Sequence, residues 1–247
     1  MTKSVSLADA QNYIDREWSV IPMRMADKRP YCRWKRFQTC RPTLDDARKW
    51  FERGMDLGIA VIFGEVSGGL ASRDFDDMEA YNGWARCHPD LAAHLPTVAT
   101  YRGMHVYCTA QTDQVAEIRA RIGKPEGIGA IKCTDGELRV GVGCYSVLPP
   151  SRHPKGGFYR WENSLPAGAL PVVDLVAAGL TNSIDATESN RRHVLRYLWR
   201  LCTLRRLCNL RNLWGLRNLW GLCCLRRLCC LCASLLHRRR RQLVRRD

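Results

Sequence analysis

The chain has 247 residues, enough for one sizeable α/β domain or a domain with an appendage. Its formal charge of +15 lies wholly after residue 190, where 16 Arg face one acid, Asp247; the first 190 residues are neutral, and their charge says nothing about a partner. Seven of the 13 Cys share that tail, and the other six stand singly without a C-x-x-C, which argues against a disulfide framework or a zinc ribbon in the main body.

No apolar signal core opens the N-terminus and no run of 18 apolar residues occurs, so a cytoplasmic protein with no membrane partner is expected. Residues 6–18 predict a helix: Ser6 and Asp9 have capping-box spacing, and Leu7, Ala10, Tyr13, Ile14 and Trp18 recur at helical intervals. The apolar run 19–23 reads as a strand ended by Pro22. Residues 28–38 mix bases and aromatics, from Lys28 to Trp34 and Phe37. Such a loop either holds phosphate or stacks a base, or is a solvated surface with Trp34 packed inward. Thr43 and Asp46 begin a second helix that runs to Gly54, and 57–63 is a continuous apolar run of strand length.

Gly64, Gly68 and Gly69 permit a tight turn before a short strand that ends in Asp74 and Asp76. Strand alternation projects the two carboxylates together and turns Phe75 into the core. Acids that close repel unless a cation lies between them, and Mg²⁺ or Mn²⁺ suits such an oxygen pair; a solvated acidic turn is the plain alternative. By the same alternation Arg73 points toward the core, where it needs an acid or an exposed strand end.

A helix over 77–87 is closed by Pro89. Residues 95–108 predict a hairpin whose turn carries Arg102 and Gly103 and whose returning strand carries His105, plainly read as a core histidine. A helix around 114–122 and short strands over 128–133, 137–140 and 145–148 follow. The loop 149–157, PPSRHPKGG, is stiff at its prolines and carries Ser151, Arg152, His153 and Lys155. Residues 158–161 resume an extended pattern, and 170–178 predict a closing helix.

Beyond about residue 180 the composition changes, and Leu recurs at every third position from Leu195 to Leu231. A period of three winds around a helix of 3.6 residues per turn and leaves no single apolar face. This reads as a frameshifted low-complexity linker. The alternatives are a zinc knot on Cys229 and Cys232, or an arginine arm that holds nucleic acid without specificity.

Four stretches carry a resemblance: W-S-V-I-P with K-R-P and W-K-R-F-Q; G-E-V-S-G-G-L with D-F-D; L-P-T-V-A-T-Y-R-G-M-H-V-Y; and G-E-L-R with Y-S-V-L-P-P-S-R-H-P-K-G-G-F-Y-R-W. Over about 8–178 their order and spacing resemble the bifunctional DNA primase/polymerase N-terminal (Prim-Pol) domain of plasmids, phages and integrated elements, in the archaeo-eukaryotic primase superfamily. The resemblance implies an α/β (α+β) domain over 1–180, with a mixed β-sheet core and flanking helices, and the change of composition sets apart a Leu/Arg/Cys tail over 181–247.

It also implies nucleotidyl transfer from nucleoside triphosphates on a single-stranded DNA template, with two Mg²⁺ or Mn²⁺ ions clamping the attacking and leaving oxygens. Residue by residue it assigns the metal to Asp74, Asp76 and Glu137, with Asp135 as the fallback third acid. His105 of Gly103-Met104-His105 falls at the nucleotide's phosphates. Lys28, Arg102, Gly103, Ser151, Arg152, His153 and Lys155 are expected to hold nucleotide or template. The segment Ala71-Ser72-Arg73 departs from the family's apolar strand. No zinc module and no G-K-[ST] loop occurs, so any helicase is expected from a partner encoded downstream. The alternative function is a non-catalytic nucleic-acid-binding replication module, or a truncated remnant.

Overall fold

A computed structural model describes residues 5–125 and 127–181, all within the unit Met1–Arg191. The tail expected after residue 180, apart from Thr181, lies outside the described residues.

Local chemistry starts the helices where expected. Helix α1 (Leu7–Ile14) opens on a reciprocal box in which Ser6 accepts from the Asp9 amide and Asp9 accepts from the Ser6 amide. Thr43 and Asp46 repeat this at α2 (Leu44–Phe51). Each such cap contributes about 1 kcal/mol, and the helices bury Ala10 and Tyr13, and Ala47 and Trp50.

Strands β1 (Val20–Arg24), β2 (Arg29–Pro30), β3 (Leu57–Ile62) and β9 (Tyr145–Leu148) form one sheet, ordered β2-β1-β3-β9. The run 57–62 is buried throughout because β3 lies between two neighbours and under α1 and α2 side chains. Pro22 does not end β1 but stands inside it, opposite Ile59. The Ile62 amide donates to the Ser19 carbonyl, so alternation turns the proline nitrogen away from β3 and the β1–β3 ladder loses no bond.

The second sheet runs β10-β5-β6-β4-β8-β7, with β4 (Leu70–Phe75), β5 (Thr97–Ala99), β6 (Met104–Thr109), β7 (Ile131–Cys133), β8 (Gly136–Val140) and β10 (Arg160–Asn163). Helices α3 (Met78–Cys87), α4 (Pro89–His94) and α5 (Thr112–Arg121) complete the α/β domain. Every strand pair within the sheets is antiparallel, so two antiparallel sheets stand in place of one mixed sheet. Hairpin connections such as β5–β6 and β7–β8 are too short for the crossovers that parallel neighbours need.

Two further expectations change. Pro89 begins α4 rather than merely closing α3, because a first-turn proline lacks only an amide that would have no helical partner. No helix forms over 170–178: Pro171 and Val173 exchange backbone hydrogen bonds with Thr109 at the end of β6, and turns follow.

Arg73, buried to 1 %, finds its acid. It pairs with Asp135, donates to the Asp74 carbonyl, and lays its guanidinium 4.4 Å from the Phe75 ring centre. Removing one partner of a buried pair strands the other charge, so Asp135→Ala is expected to destabilise the domain by about 3 kcal/mol. Urea unfolding checks this, and Arg73→Met in the same background should recover most of the loss.

Candidate active site

Strand β4 is central in its sheet, and its register brings distant residues level. Asp74 stands opposite His105 on β6 and opposite Glu137 on β8. Cross-strand neighbours share a face, so an acid, an imidazole and a second acid form one row. Phe75 turns to the other face and is buried against Tyr81 and Trp84. The close approach of the flanking strands needs two glycines. A Cβ at Gly103 would lie 1.9 Å from the Phe75 carbonyl oxygen, and one at Gly136 2.0 Å from that of Asp74. Gly103, expected at the nucleotide, therefore serves the packing of the turn.

His105 Nε2 lies 3.2 Å from Asp74 Oδ1, and its Nδ1 lies 3.0 Å from Ser146 Oγ on β9. An ionised carboxylate only accepts, so the Nε2 proton is on the imidazole and points at Asp74. Arg139, two residues beyond Glu137 on the same face, sends Nη2 to Asp74 Oδ2 at 2.8 Å and to Glu137 Oε2 at 3.0 Å. Its Nη1 donates to the Tyr145 carbonyl at 2.6 Å, and Lys132 holds the other oxygen of Glu137. Ser146 and Tyr145 belong to the first sheet, so the site lies at the seam between the two.

Burial opposes ionisation of Asp74, but the imidazole beside it and the guanidinium of Arg139 outweigh burial and hold its carboxyl well below the usual range. Burial likewise works against the charge of Arg139, and Asp74 and Glu137 overcome it and raise its pKa.

A cavity of about 720 Å³ opens over this row. Asp74, Asp76, His105, Glu137 and Arg139 are among its lining residues, as are Asp27, Lys28, Arg102, His153, Lys155, Tyr101 and Tyr159. Asp76 lies past the end of β4, exposed, its amide donating to the Asp135 carbonyl at 3.0 Å. Lys28 adopts a positive φ of 53° in the turn between β1 and β2, an uncommon backbone for a long side chain. Partial burial lowers the Lys28 pKa, and burial lowers that of His153 with help from Lys28, Lys155 and Arg102. His153 stacks on Tyr101 at 4.9 Å between ring centres, 9° from parallel.

Three expected residues lie elsewhere. Ser151 is buried and its hydroxyl bonds the backbone of Ile59, tying the loop to β3. Arg152 lines a smaller pocket of about 190 Å³ with Val5 and Met25. Asp135, the fallback acid, pairs with Arg73, whereas Glu137 lines the cavity. Arg139, Lys132, Ser146 and Tyr101 were not anticipated at the site. The i, i+2 spacing of Glu137 and Arg139 on a strand was the available signal for the first of them.

Asp74, Asp76 and Glu137 are the hard oxygen donors that Mg²⁺ or Mn²⁺ takes, and they share one cavity. Their chemistry fits such an ion. As they stand, no group of three His, Cys, Asp or Glu among the described residues encloses one, and Arg139 bridges two of the acids.

An α/β domain with carboxylates, an imidazole and a basic rim around one cavity defines a class of protein equipped for anionic, phosphate-bearing substrates. The family model for the bifunctional DNA primase/polymerase N-terminal domain, Prim-Pol, matches residues 10–173, and the chain belongs to that family. Membership brings primase/polymerase-type function, a nucleotidyltransferase chemistry on nucleotides and DNA. A comparison with curated proteins finds no match. No helix among the described residues is long and apolar enough to cross a membrane.

Proposed function

We propose that this domain extends or primes DNA on a single-stranded template, transferring nucleotides from nucleoside triphosphates in a reaction that uses Mg²⁺ or Mn²⁺. The observation that carries the reading is the register of β4, which sets Asp74 level with both His105 and Glu137. A 3′-hydroxyl passes its proton to solvent water and attacks the α-phosphate; the new P–O bond forms as the bond to the β-phosphate breaks and pyrophosphate departs. Asp74, Asp76 and Glu137 would hold the divalent ions, which when bound would supply charge to the attacking and leaving oxygens.

The chain's own groups do the rest. Lys28, Arg102 and Lys155, which line the same cavity as the acids, take up the triphosphate's charge. The Nε2–H of His105, which faces Asp74 here, is the donor offered to a phosphate oxygen beside that acid, while Ser146 fixes the ring through Nδ1. Tyr101, half exposed on His153, offers a face on which a base stacks. The setting we assign is cytoplasmic replication of a plasmid, phage or integrated element, without zinc and with any helicase on a partner encoded downstream.

One observation favours a second reading. Both oxygens of Asp74 and of Glu137 already face cationic or imidazole donors, as in a domain that binds nucleic acid without catalysis. Nucleotide binding separates the two. The enzyme binds a triphosphate with an affinity that falls at least about tenfold when EDTA removes the ion, since the ion bridges like charges. Template binding unaffected by EDTA, with no measurable nucleotide affinity, would support the non-catalytic module instead.

A further inference from the structure

We infer that the Arg139 guanidinium is the resident cation of the acidic row, occupying in the metal-free protein the place between Asp74 and Glu137 that a divalent ion must take. The inference rests on the metal-dependent reading above and adds a competitor that this chain itself supplies. One guanidinium nitrogen reaches both carboxylates, at 2.8 Å and 3.0 Å. The opposite oxygens of the same acids are held by His105 and Lys132. The row is therefore neutralised from within, and two acids that would repel each other are stable side by side without an ion.

The guanidinium and a divalent ion exclude each other. Like charges a few ångströms apart in a half-buried site repel strongly, and the ion needs the oxygens that Nη2 now contacts. Arg139 is also held in a way that permits release. Its Nη1 has the Tyr145 carbonyl, but its buried Nε has no hydrogen-bond partner, so two acids and one carbonyl fix it. The side chain already borders the cavity of about 720 Å³, which gives it somewhere to go. Binding of the ion is then an exchange of cations, and the divalent affinity of the free protein is set by how firmly Arg139 holds its place.

Titration of the nucleotide-free chain with Mn²⁺, with free ion read by electron paramagnetic resonance, tests this without activity. Arg139→Gln, shown to be folded by circular dichroism, is expected to bind Mn²⁺ at least about tenfold more tightly than wild type, because a positive charge adjacent to the ion is gone. Arg139→Lys keeps the charge and should stay near wild type. The gain should vanish in Arg139→Gln/Glu137→Gln. If wild type and Arg139→Gln bind Mn²⁺ equally, or the variant binds it more weakly, the inference falls while the metal-dependent reading stands. If neither binds Mn²⁺, both fall. Should Arg139→Gln not fold, the wild type decides: the Arg139 side-chain signal in ¹⁵N NMR shifts on saturation with Mg²⁺, and an unmoved signal overturns the inference.

Discussion

Asp74→Ala is expected to abolish templated synthesis, with a fall in rate of at least about 1000-fold, the scale set by removing charge stabilisation at a reacting phosphate. Primer extension on a single-stranded template measures it. Asp74 is central in its strand row, with His105 and Glu137 as partners on the two adjoining strands. The domain should still fold. Arg139 keeps Glu137 and the Tyr145 carbonyl when Asp74 is removed, so no guanidinium is left wholly unpaired.

Asp74→Asn adds a check on ionisation. The folded-state pKa of Asp74 is depressed, so its charge stabilises the fold above its unfolded value of about 3.9. That stabilisation is lost as pH falls through the folded pKa. Wild type should therefore exceed Asp74→Asn in stability at pH 7, and the gap should shrink steadily below about pH 5. Urea unfolding across that range reads it. A gap that did not change with pH would mean that Asp74 is not ionised by its neighbours, and full extension by Asp74→Ala would remove the enzyme reading.

Local features were legible in the sequence because local chemistry decides them. The two capping boxes begin where Ser6 with Asp9 and Thr43 with Asp46 place them. The alternation around Phe75 holds, with Asp74 on the cavity side and Arg73 on the core side beside an acid. What was hidden is pairing. Nothing near residue 105 or residue 137 states that both stand opposite residue 74, since register belongs to the whole sheet.

The same gap explains Asp135 and Glu137. They differ by one strand position pair in sequence, yet Asp135 meets Arg73 and Glu137 meets Arg139. Ser151 illustrates the converse: in a loop rich in bases it reads as a ligand, but the β3 backbone takes its hydroxyl. Residues 170–178 have the composition of a helix, and Thr109 captures their backbone first.

His105→Ala is expected to lower the rate by about 100- to 1000-fold, as loss of a donor at a developing phosphate charge does. The same imidazole links the two sheets through Ser146, so a structural explanation competes. Ser146→Ala distinguishes them. It removes this one hydrogen bond between the sheets, while Arg139 still bonds the Tyr145 carbonyl, and it leaves the imidazole and its Nε2 proton facing Asp74. Catalysis through His105 predicts that Ser146→Ala slows synthesis by only about tenfold or less, the value of one hydrogen bond that orients a ring. His105→Ala should unfold at a lower urea concentration than Ser146→Ala, because it forfeits the Asp74 contact and the packing of a buried ring as well as the Ser146 bond. Steady-state extension rates with nucleotide varied would then place the His105→Ala loss in kcat rather than in KM alone. Equal losses in the two variants would make His105 a positioning residue, and the phosphate contact would have to come from the basic residues of the cavity, from Lys28, Arg102 or Lys155.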